Sequence, residues 1–240
     1  MIRCLSLLLC CLLLPVWALA APTVTPPPED LYFDQAVLVG DSILRGLHSR
    51  QKASQQAGGT MLAGARFLAA DGLTLYQASR LNPGGEGVNL SLGGQPISLH
   101  EGLRRLKAKE GYIMLGLNDA AGSRMDRHIQ WYEKLISQVQ DRNPGIMITL
   151  LSVTPIRPGA QTKRLTQENL NAFNQQLAVL RAQLGLAYWD VSQALKDEEG
   201  YLRSEYCRDR QVHLNEAGYE ALLGALRDHA RQAMMEGELP

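Results

Sequence analysis

After its first 11 residues the sequence has too few cysteines to form a disulfide framework. Three of its four cysteines lie within the first 11 residues, and the fourth is Cys207. If the first segment is removed, one thiol remains, and a single thiol cannot form an internal disulfide. The body of the protein must therefore fold on its hydrophobic core, which a chain of 240 residues is long enough to bury.

The sequence also lacks an excess of charge of either sign. Lysine and arginine together number 24, and so do aspartate and glutamate. Nucleic-acid-binding proteins usually have a basic excess, and electrostatic attachment to an anionic membrane needs a basic cluster. We therefore expect neither kind of partner. The hydrophobic share of 45% excludes a collagen-like or wholly disordered chain.

Motifs for metals and cofactors are missing as well. The sequence contains no Cys-x-x-Cys, no His-Glu-x-x-His, no Asp-rich calcium loop, no P-loop and no Gly-x-Gly-x-x-Gly after a strand. We expect no cofactor and no metal. The Gly-x-Ser-x-Gly elbow of the α/β-hydrolases is also absent, so the sequence does not indicate that fold.

The first 20 residues are typical of a secretory signal peptide. Arg3 precedes a leucine-rich run, and Ala18-Leu19-Ala20 forms a small-x-small cleavage site. The apolar core from Leu7 to Leu14 is shorter than the ~20 residues that a membrane span needs. We predict cleavage after Ala20, a secreted or extracytoplasmic location (periplasm or cell envelope), and no stable membrane insertion afterwards. The oligomeric state is not indicated.

A proline-rich stretch, PTVTPPPED, follows the predicted signal peptide at residues 22–30. Its composition is typical of an extended spacer outside the core. We divide the chain into a signal peptide at 1–20, a spacer at 21–33 and one domain at 34–235. Removal of the signal peptide, which contains Arg3, leaves 23 basic against 24 acidic residues, a charge of −1. Nucleic acids and anionic membrane surfaces are therefore still not expected as partners.

Short apolar runs alternate with helical patterns along the body. Strands are predicted at Ala36–Gly40, Phe67–Ala70, Tyr112–Leu115, Ile146–Leu151 and Leu186–Trp189. A hairpin is expected around Gly93-Gly94, a capping box from Ser98 to Glu101, and a last helix capped by Asn215. The alternation predicts one α/β domain with a parallel sheet and helices on both faces.

Residues with useful chemistry follow the carboxyl ends of these strands, where open parallel sheets form their sites. Gly40-Asp41-Ser42 follows the first strand, Asp71-Gly72 the second and Gly116-Leu117-Asn118-Asp119 the third, and Asp209 to Asn215 precede the last helix. A serine, a glycine N–H, an asparagine amide and a histidine supply a nucleophile, oxyanion donors and a base for acyl transfer.

These motifs, together with Gly46, resemble the SGNH (GDSL) hydrolase family over about residues 36–230. The resemblance implies a flavodoxin-like three-layer α/β/α sandwich with a five-stranded parallel sheet. It also implies serine esterase chemistry without a cofactor. By this resemblance the catalytic residues are Ser42, His213 and Asp209, and the oxyanion hole is formed by Ser42, Gly72 and Asn118.

The expected function is therefore an exported serine esterase acting on O-acyl groups. The family implies small-molecule or polymer esters, and the family together with export favours carbohydrates or envelope polymers as substrates. The lack of a long apolar lid segment and the aromatic content of 6% favour a small acyl group such as acetyl. A lipase or lysophospholipase of the same family is one alternative. A non-catalytic carbohydrate-binding protein on the same fold is the other.

The position of the acid departs from the Asp-x-x-His pattern of the family. Arg210 lies three residues before His213, and the aspartate lies four before it, at Asp209. Either the extra residue bulges and Asp209 still reaches the imidazole, or a backbone carbonyl or another carboxylate such as Glu205 replaces it. We favour Asp209, because the acid only has to orient the imidazole and stabilise its charge. Cys207 is interpreted as a buried small residue or as a thiol near the site.

Several candidates also have a structural interpretation. Ser42 could cap the first helix, and Asn118 could be only a turn residue. Asp41 is interpreted as holding its turn and Asp119 as orienting a loop. The remaining histidines are predicted to be solvated on the surface; they are His48, His100, His128 and His229.

Overall fold

The computed structural model describes residues 24–120 and 124–237, so the predicted signal peptide lies outside the described residues. The strands are β1 Ala36–Gly40, β2 Arg66–Ala69, β3 Ser91–Leu92, β4 Gln95–Pro96, β5 Glu110–Met114, β6 Met147–Leu151 and β7 Ala187–Trp189. Five of them form one parallel sheet in the order β2-β1-β5-β6-β7, and β3 pairs with β4 as the predicted hairpin. The predicted α/β fold is confirmed.

Helices cover both faces of this sheet. They are α1 Pro28–Leu31, α2 Ser42–Gln56, α3 Leu75–Ala78, α4 Leu99–Arg105, α5 Met125–Arg142, α6 Gln167–Leu184 and α7 Glu216–Met235. On one face α5 contacts both α4 and α6. On the other face α2 is joined to α7 by the ion pair of Arg50 with Glu216. Across the described ranges, we find no helix with the length and apolar character of a membrane span.

The sheet register brings three strand ends to one level. Gly40, the last residue of β1, pairs with Ala69 of β2 on one side and with Met114 of β5 on the other. Every residue of β1 and β5 is buried, as expected for central parallel strands covered on both faces. The turns that follow these strands therefore lie side by side at the carboxyl edge of the sheet.

The predicted spacer is too long at its carboxyl end. Pro28–Leu31 forms α1, Asp30 is fully buried and ion-paired with Arg227 of α7, and Phe33 is part of the core. The proline-rich composition indicated an extended chain, but proline is also favoured in the first turn of a helix. The packed domain thus begins near Pro28 and not at residue 34.

One of the two predicted helix starts has the expected cap. The side chain of Asn215 accepts the N–H of Gly218 at 3.0 Å, as predicted. Helix α4 follows Ser98, but the predicted capping box is wrong, because the Ser98 side chain makes no capping hydrogen bond. The Glu101 carboxylate pairs instead with Arg104 and Arg105 on the next turn.

The prediction of solvated histidines is also wrong. His128 is buried, and His229 is half-buried, with Nε2 3.3 Å from the Tyr112 hydroxyl and its ring against Trp189. His48 stacks on Phe67 with 4.7 Å between ring centroids. Polar neighbours in the sequence did not reveal that these helical positions face other elements.

Candidate active site

The predicted site residues meet in one cavity at the carboxyl edge of the sheet. Ser42, Gly72, Asn118 and His213 line this cavity, which has a volume of about 590 Å³. It lies where β1 has β2 on one side and β5 on the other, so that the connections leave in opposite directions. Such a switch point is where open α/β sheets bind their ligands.

Ser42 is placed for contact with His213. It is the first residue of α2, and its Oγ lies 3.2 Å from Nε2 of His213. The helix cap is Asp41, whose Oδ1 accepts the N–H of Ile43 at 3.0 Å. The alternative that Ser42 caps the helix therefore does not apply, and its hydroxyl is directed at the imidazole. On its other side, His213 Nδ1 is hydrogen-bonded to Oδ2 of Asp209.

The loop before α7 accommodates the extra residue between Asp209 and His213. Arg210 has a φ of 63°, in the left-handed region, so the chain bulges outward at this residue. Asp209 Oδ1 accepts the N–H groups of Gln211 at 2.8 Å and Val212 at 3.1 Å. The bulge thus lets a carboxylate four residues before the histidine reach Nδ1.

Glu205, the other carboxylate considered, does not contact His213. It lies 3.6 Å from Arg203 on the exposed side of the loop. Burial by itself would raise the pKa of Asp209, but hydrogen bonds from the His213 ring and from loop N–H groups outweigh it and hold this pKa well below its usual range. Cys207 is the predicted thiol near the site, with Sγ 3.6 Å from Asp209 Oδ1, and burial raises the pKa of this thiol.

The three residues predicted to supply oxyanion donors also line the cavity. The N–H of Ser42 is one of the first N–H groups of α2, which have no acceptor inside the helix. Gly72 has a φ of 71°, which favours glycine. Asn118 Nδ2 donates to Asp41 Oδ2 at 3.2 Å and to the Leu73 carbonyl at 3.1 Å. Because the amide has two hydrogens, a substrate oxygen must replace one of these acceptors.

Two buried carboxylates lie beneath the cavity. Asp41 is 1% exposed and Asp119 is 5% exposed. Burial raises the pKa of each to about 6. Asp119 accepts the N–H of Leu75 at 2.9 Å, and Asp41 connects the start of α2 to Asn118. These contacts agree with the structural roles expected for both residues.

Sequence reasoning did not predict that Tyr219 lines the cavity, and it did not predict which residue packs against Gly46. Tyr219 of α7 lines the cavity, and a Cβ built on Gly46 would lie 1.7 Å from its hydroxyl oxygen. A glycine inside a helix was the available signal, but it could not name a partner on another element. Arg45, Asp71 and Arg208 complete this polar wall, with Arg45 and Asp71 paired at 2.8 Å.

The sequence model of the GDSL-like lipase/acylhydrolase family matches residues 38–221. The chain belongs to this family. The matched region includes Ser42, Gly72, Asn118, Asp209 and His213, so the resemblance in the sequence is confirmed. Membership identifies the protein as a hydrolase acting on ester bonds. A search of curated proteins found no match.

Solved structures with the same fold include proteins of the same chemical class. A GDSL-like lipase from Bacteroides thetaiotaomicron is 17% identical over 88% of this chain and 92% of that one, with a TM-score of 0.63. A lipase/acylhydrolase from Enterococcus faecalis is 18% identical over 82% and 96%, with a TM-score of 0.52. An acetyl xylan esterase is 16% identical over 81% and 98%, with a TM-score of 0.57. At these identities the similarity establishes the fold.

Proposed function

We propose that this GDSL acylhydrolase is an exported serine esterase that removes O-acyl groups, with O-acetyl esters of carbohydrates or envelope polymers as its substrates. Ser42, His213 and Asp209 form its catalytic triad. The observation that carries the proposal is the distance of 3.2 Å from Ser42 Oγ to His213 Nε2, together with the bond from Nδ1 to Asp209.

In the first half of the reaction, Ser42 Oγ attacks the ester carbonyl while His213 Nε2 takes the hydroxyl proton. A serine hydroxyl is a weak nucleophile at neutral pH and needs this base. His213 then gives the proton to the leaving alcohol, which produces an acyl-serine. Asp209 keeps Nδ1 protonated and stabilises the imidazolium.

In the second half, water attacks the acyl-serine and His213 takes a proton from it. The second tetrahedral intermediate collapses, the proton returns to Ser42 Oγ, and the carboxylic acid leaves. Both intermediates carry an oxyanion. The backbone N–H groups of Ser42 and Gly72 and the Asn118 amide stabilise that charge, and each such donor typically contributes 10²–10³ in rate.

The cavity wall favours a small acyl group and a polar alcohol. Arg45, Ser49, Asp71 and Arg208 surround Ser42, whereas a long acyl chain would need an extended apolar wall. The acetyl xylan esterase among the similar folds supports the same choice. Export is proposed from the signal-peptide pattern of residues 1–20, and sequencing the N-terminus of the exported protein would test cleavage after Ala20.

Labelling with a fluorophosphonate probe tests the nucleophile. We expect the wild-type protein to be labelled and Ser42→Ala to remain unlabelled, with kcat lower by at least ~10⁴. Ser137→Ala is the matched control, because Ser137 is exposed on α5 away from the cavity. Equal labelling of the wild type and Ser42→Ala would contradict the assignment of Ser42 as the nucleophile. No labelling of either would favour a non-catalytic binding protein.

A series of p-nitrophenyl esters tests the acyl group. We expect kcat/KM to be highest for the acetyl ester and to fall steadily toward the palmitoyl ester. A maximum at long chains would overturn the acetyl assignment and identify a lipase, which the family also contains.

A further inference from the structure

The catalytic cavity adjoins a second cavity at the edge of the sheet. The second cavity has a volume of about 640 Å³ and shares Arg45, Ser49 and Asp71 with the first. Its far part is lined by Lys52 of α2 and by Phe67 of the edge strand β2. We call this second cavity the edge groove. A substrate held at Ser42 and extended toward β2 would pass over these three shared residues into the edge groove.

Helix α2 forms the floor of this path. Ser42, Arg45, Ser49 and Lys52 are spaced by three, four and three residues, so they share one face of the helix. With a rise of 1.5 Å per residue, Ser42 and Lys52 are about 15 Å apart along the axis. An acetyl group does not need this length. The groove therefore has the dimensions of a site for the alcohol part of a polymeric ester.

The charges along the path are mostly positive. Arg45 is paired with Asp71, but in the described part of the chain neither Lys52 nor Arg208 has an ion-pair partner. Arg208 lines only the catalytic cavity and Lys52 only the edge groove, so the two cations lie toward opposite ends. Both are exposed to solvent and available to a bound anion.

A stacked aromatic pair lies in the edge groove, at the same end as Lys52. The rings of His48 and Phe67 are stacked with an interplanar angle of 8°, and both residues line the edge groove. Burial and the nearby charge of Lys52 lower the pKa of His48, which favours the neutral form of this ring. Phe67 is buried and stacked against His48, so His48 is the member of the pair that a sugar can contact. A flat ring beside the cation of Lys52 suits a sugar ring that carries acidic groups.

We propose that the edge groove binds the chain of an acidic, O-acetylated polysaccharide whose carboxylates pair with Lys52 and Arg208. The proposal rests on the esterase function proposed above and adds the substrate class. The acetylated sugar occupies the catalytic cavity, and the following sugars lie along α2. A neutral glycan would leave both cations without partners.

The test compares acetate release from acetylated polygalacturonate and from acetylated cellulose oligomers of equal acetyl content. We expect the wild type to have the lower KM on the acidic polymer and to lose this preference as salt is added. Lys52→Gln and Arg208→Gln should each raise KM on the acidic polymer about 2- to 5-fold, and the double variant about 10-fold. The preference for the acidic polymer should fall by the same factors.

Lys109→Gln is the matched control, since this exposed lysine precedes the central strand β5 and so lies at the amino ends of the strands, away from both cavities. Its KM on the acidic polymer should equal that of the wild type. A wild type that hydrolyses p-nitrophenyl acetate but has equal KM values for both polymers would overturn the acidic-glycan proposal and leave the esterase function standing. No hydrolysis of any ester would instead contradict the esterase function.

Competition by polymers without acetyl groups distinguishes carboxylate from phosphate as the negative group that is bound. Polygalacturonate without acetyl groups should inhibit release from the acetylated form, and more weakly in the double variant. Inhibition by inorganic polyphosphate alone would overturn the glycan assignment and indicate a phosphate polymer.

Discussion

The backbone conformation of Arg210 lets Asp209, four residues before His213, reach the imidazole ring. The family pattern has this aspartate three residues before the histidine. Its φ of 63° is a conformation that costs a residue with a side chain about 1–2 kcal/mol. In return, Asp209 gains hydrogen bonds from Gln211, Val212 and His213 while its other oxygen bonds the imidazole. The sequence showed the displaced acid, and the backbone conformation explains how it reaches the ring.

Substitutions at Arg210 should therefore depend on backbone freedom and not on charge. Arg210→Gly should keep kcat/KM near the wild-type value, because glycine adopts this φ without strain. Arg210→Val should be about 1–2 kcal/mol less stable than Arg210→Gly and should lower kcat, since a β-branched residue resists this conformation. Urea unfolding and steady-state kinetics measure both effects. Equal stability of the two variants would contradict the strain argument.

Asn118 combines a structural and a proposed catalytic role. Asn118→Ala should lower kcat by about 10²–10³ through loss of an oxyanion donor. Asn143→Ala is a matched control, because the Asn143 amide also donates two hydrogen bonds, to the carbonyls of His100 and Val139, away from the cavity. Both variants should lose similar unfolding free energy, but only Asn118→Ala should lose activity. Loss of activity in both would mean that Asn118 acts only through folding.

At the scale of elements, the contact of α2 with α7 fixes the position of the site. Gly46 of α2 faces the Tyr219 hydroxyl of α7, and Arg50 lies over the Tyr219 ring, 4.6 Å from its centroid. The helix that starts with Ser42 is thereby packed against the helix that follows His213. A change at this contact should alter the distance between the two groups.

Gly46→Ala should destabilise the protein by about 1–3 kcal/mol and lower kcat/KM, because the added methyl group overlaps Tyr219. Gly224→Ala provides a control of opposite sign. Gly224 lies inside α7 with no atom within 4 Å of a built Cβ, so alanine there should stabilise the protein by about 0.5–1 kcal/mol. Thermal or urea unfolding checks both signs. A stabilising Gly46→Ala would show that Tyr219 moves away without cost.

The elements themselves were largely predictable from the sequence, because their signals are local. The buried run Ala36–Gly40 was located to the residue, and every other end of the predicted strands lies within two residues of its predicted position. Contacts between distant segments were not predictable. The pair of Asp30 with Arg227 joins residues 197 apart and turns part of the expected spacer into core, and nothing near Asp30 announces it.

The candidate site was predictable for a related reason. Parallel strands end at one edge, so residues after β1, β2 and β5 had to meet once the sheet was recognised. The catalytic roles of Ser42, Gly72, Asn118, Asp209 and His213 remain predictions. The edge groove could not be predicted, since it depends on how the β3–β4 hairpin lies beside α2.

For the whole molecule, a balanced formal charge conceals carboxylates with opposite behaviour at one edge of the sheet. Burial raises the pKa of Asp41 and Asp119 to about 6, whereas hydrogen bonds in the loop lower that of Asp209. In the unfolded chain all three would titrate near 4. Between pH 4 and 6 the folded state therefore holds more protons at Asp41 and Asp119 than the unfolded state does.

These differences predict how stability depends on pH. Protonated Asp41 and Asp119 favour folding below pH 4, and their contribution is lost as the pH rises to about 6, on the order of 5 kcal/mol for both together. The unfolding free energy of the wild type minus that of the Asp41→Asn/Asp119→Asn variant should therefore fall over this interval and be constant above it. Urea unfolding at each pH measures this difference.

The same experiment on Asp209 should give the opposite slope. A lowered pKa stabilises the folded state above pH 4, and this stabilisation is lost as the pH falls below it. The unfolding free energy of the wild type minus that of Asp209→Asn should therefore rise with pH below pH 4. In that range the corresponding difference for the Asp41→Asn/Asp119→Asn variant has not yet begun to fall.

The result for Asp41 and Asp119 also tests whether their surroundings are dry. If the difference for the Asp41→Asn/Asp119→Asn variant is flat or rises between pH 4 and 6, water or charge reaches the two carboxylates. The cavity floor would then not be as dry as their burial indicates.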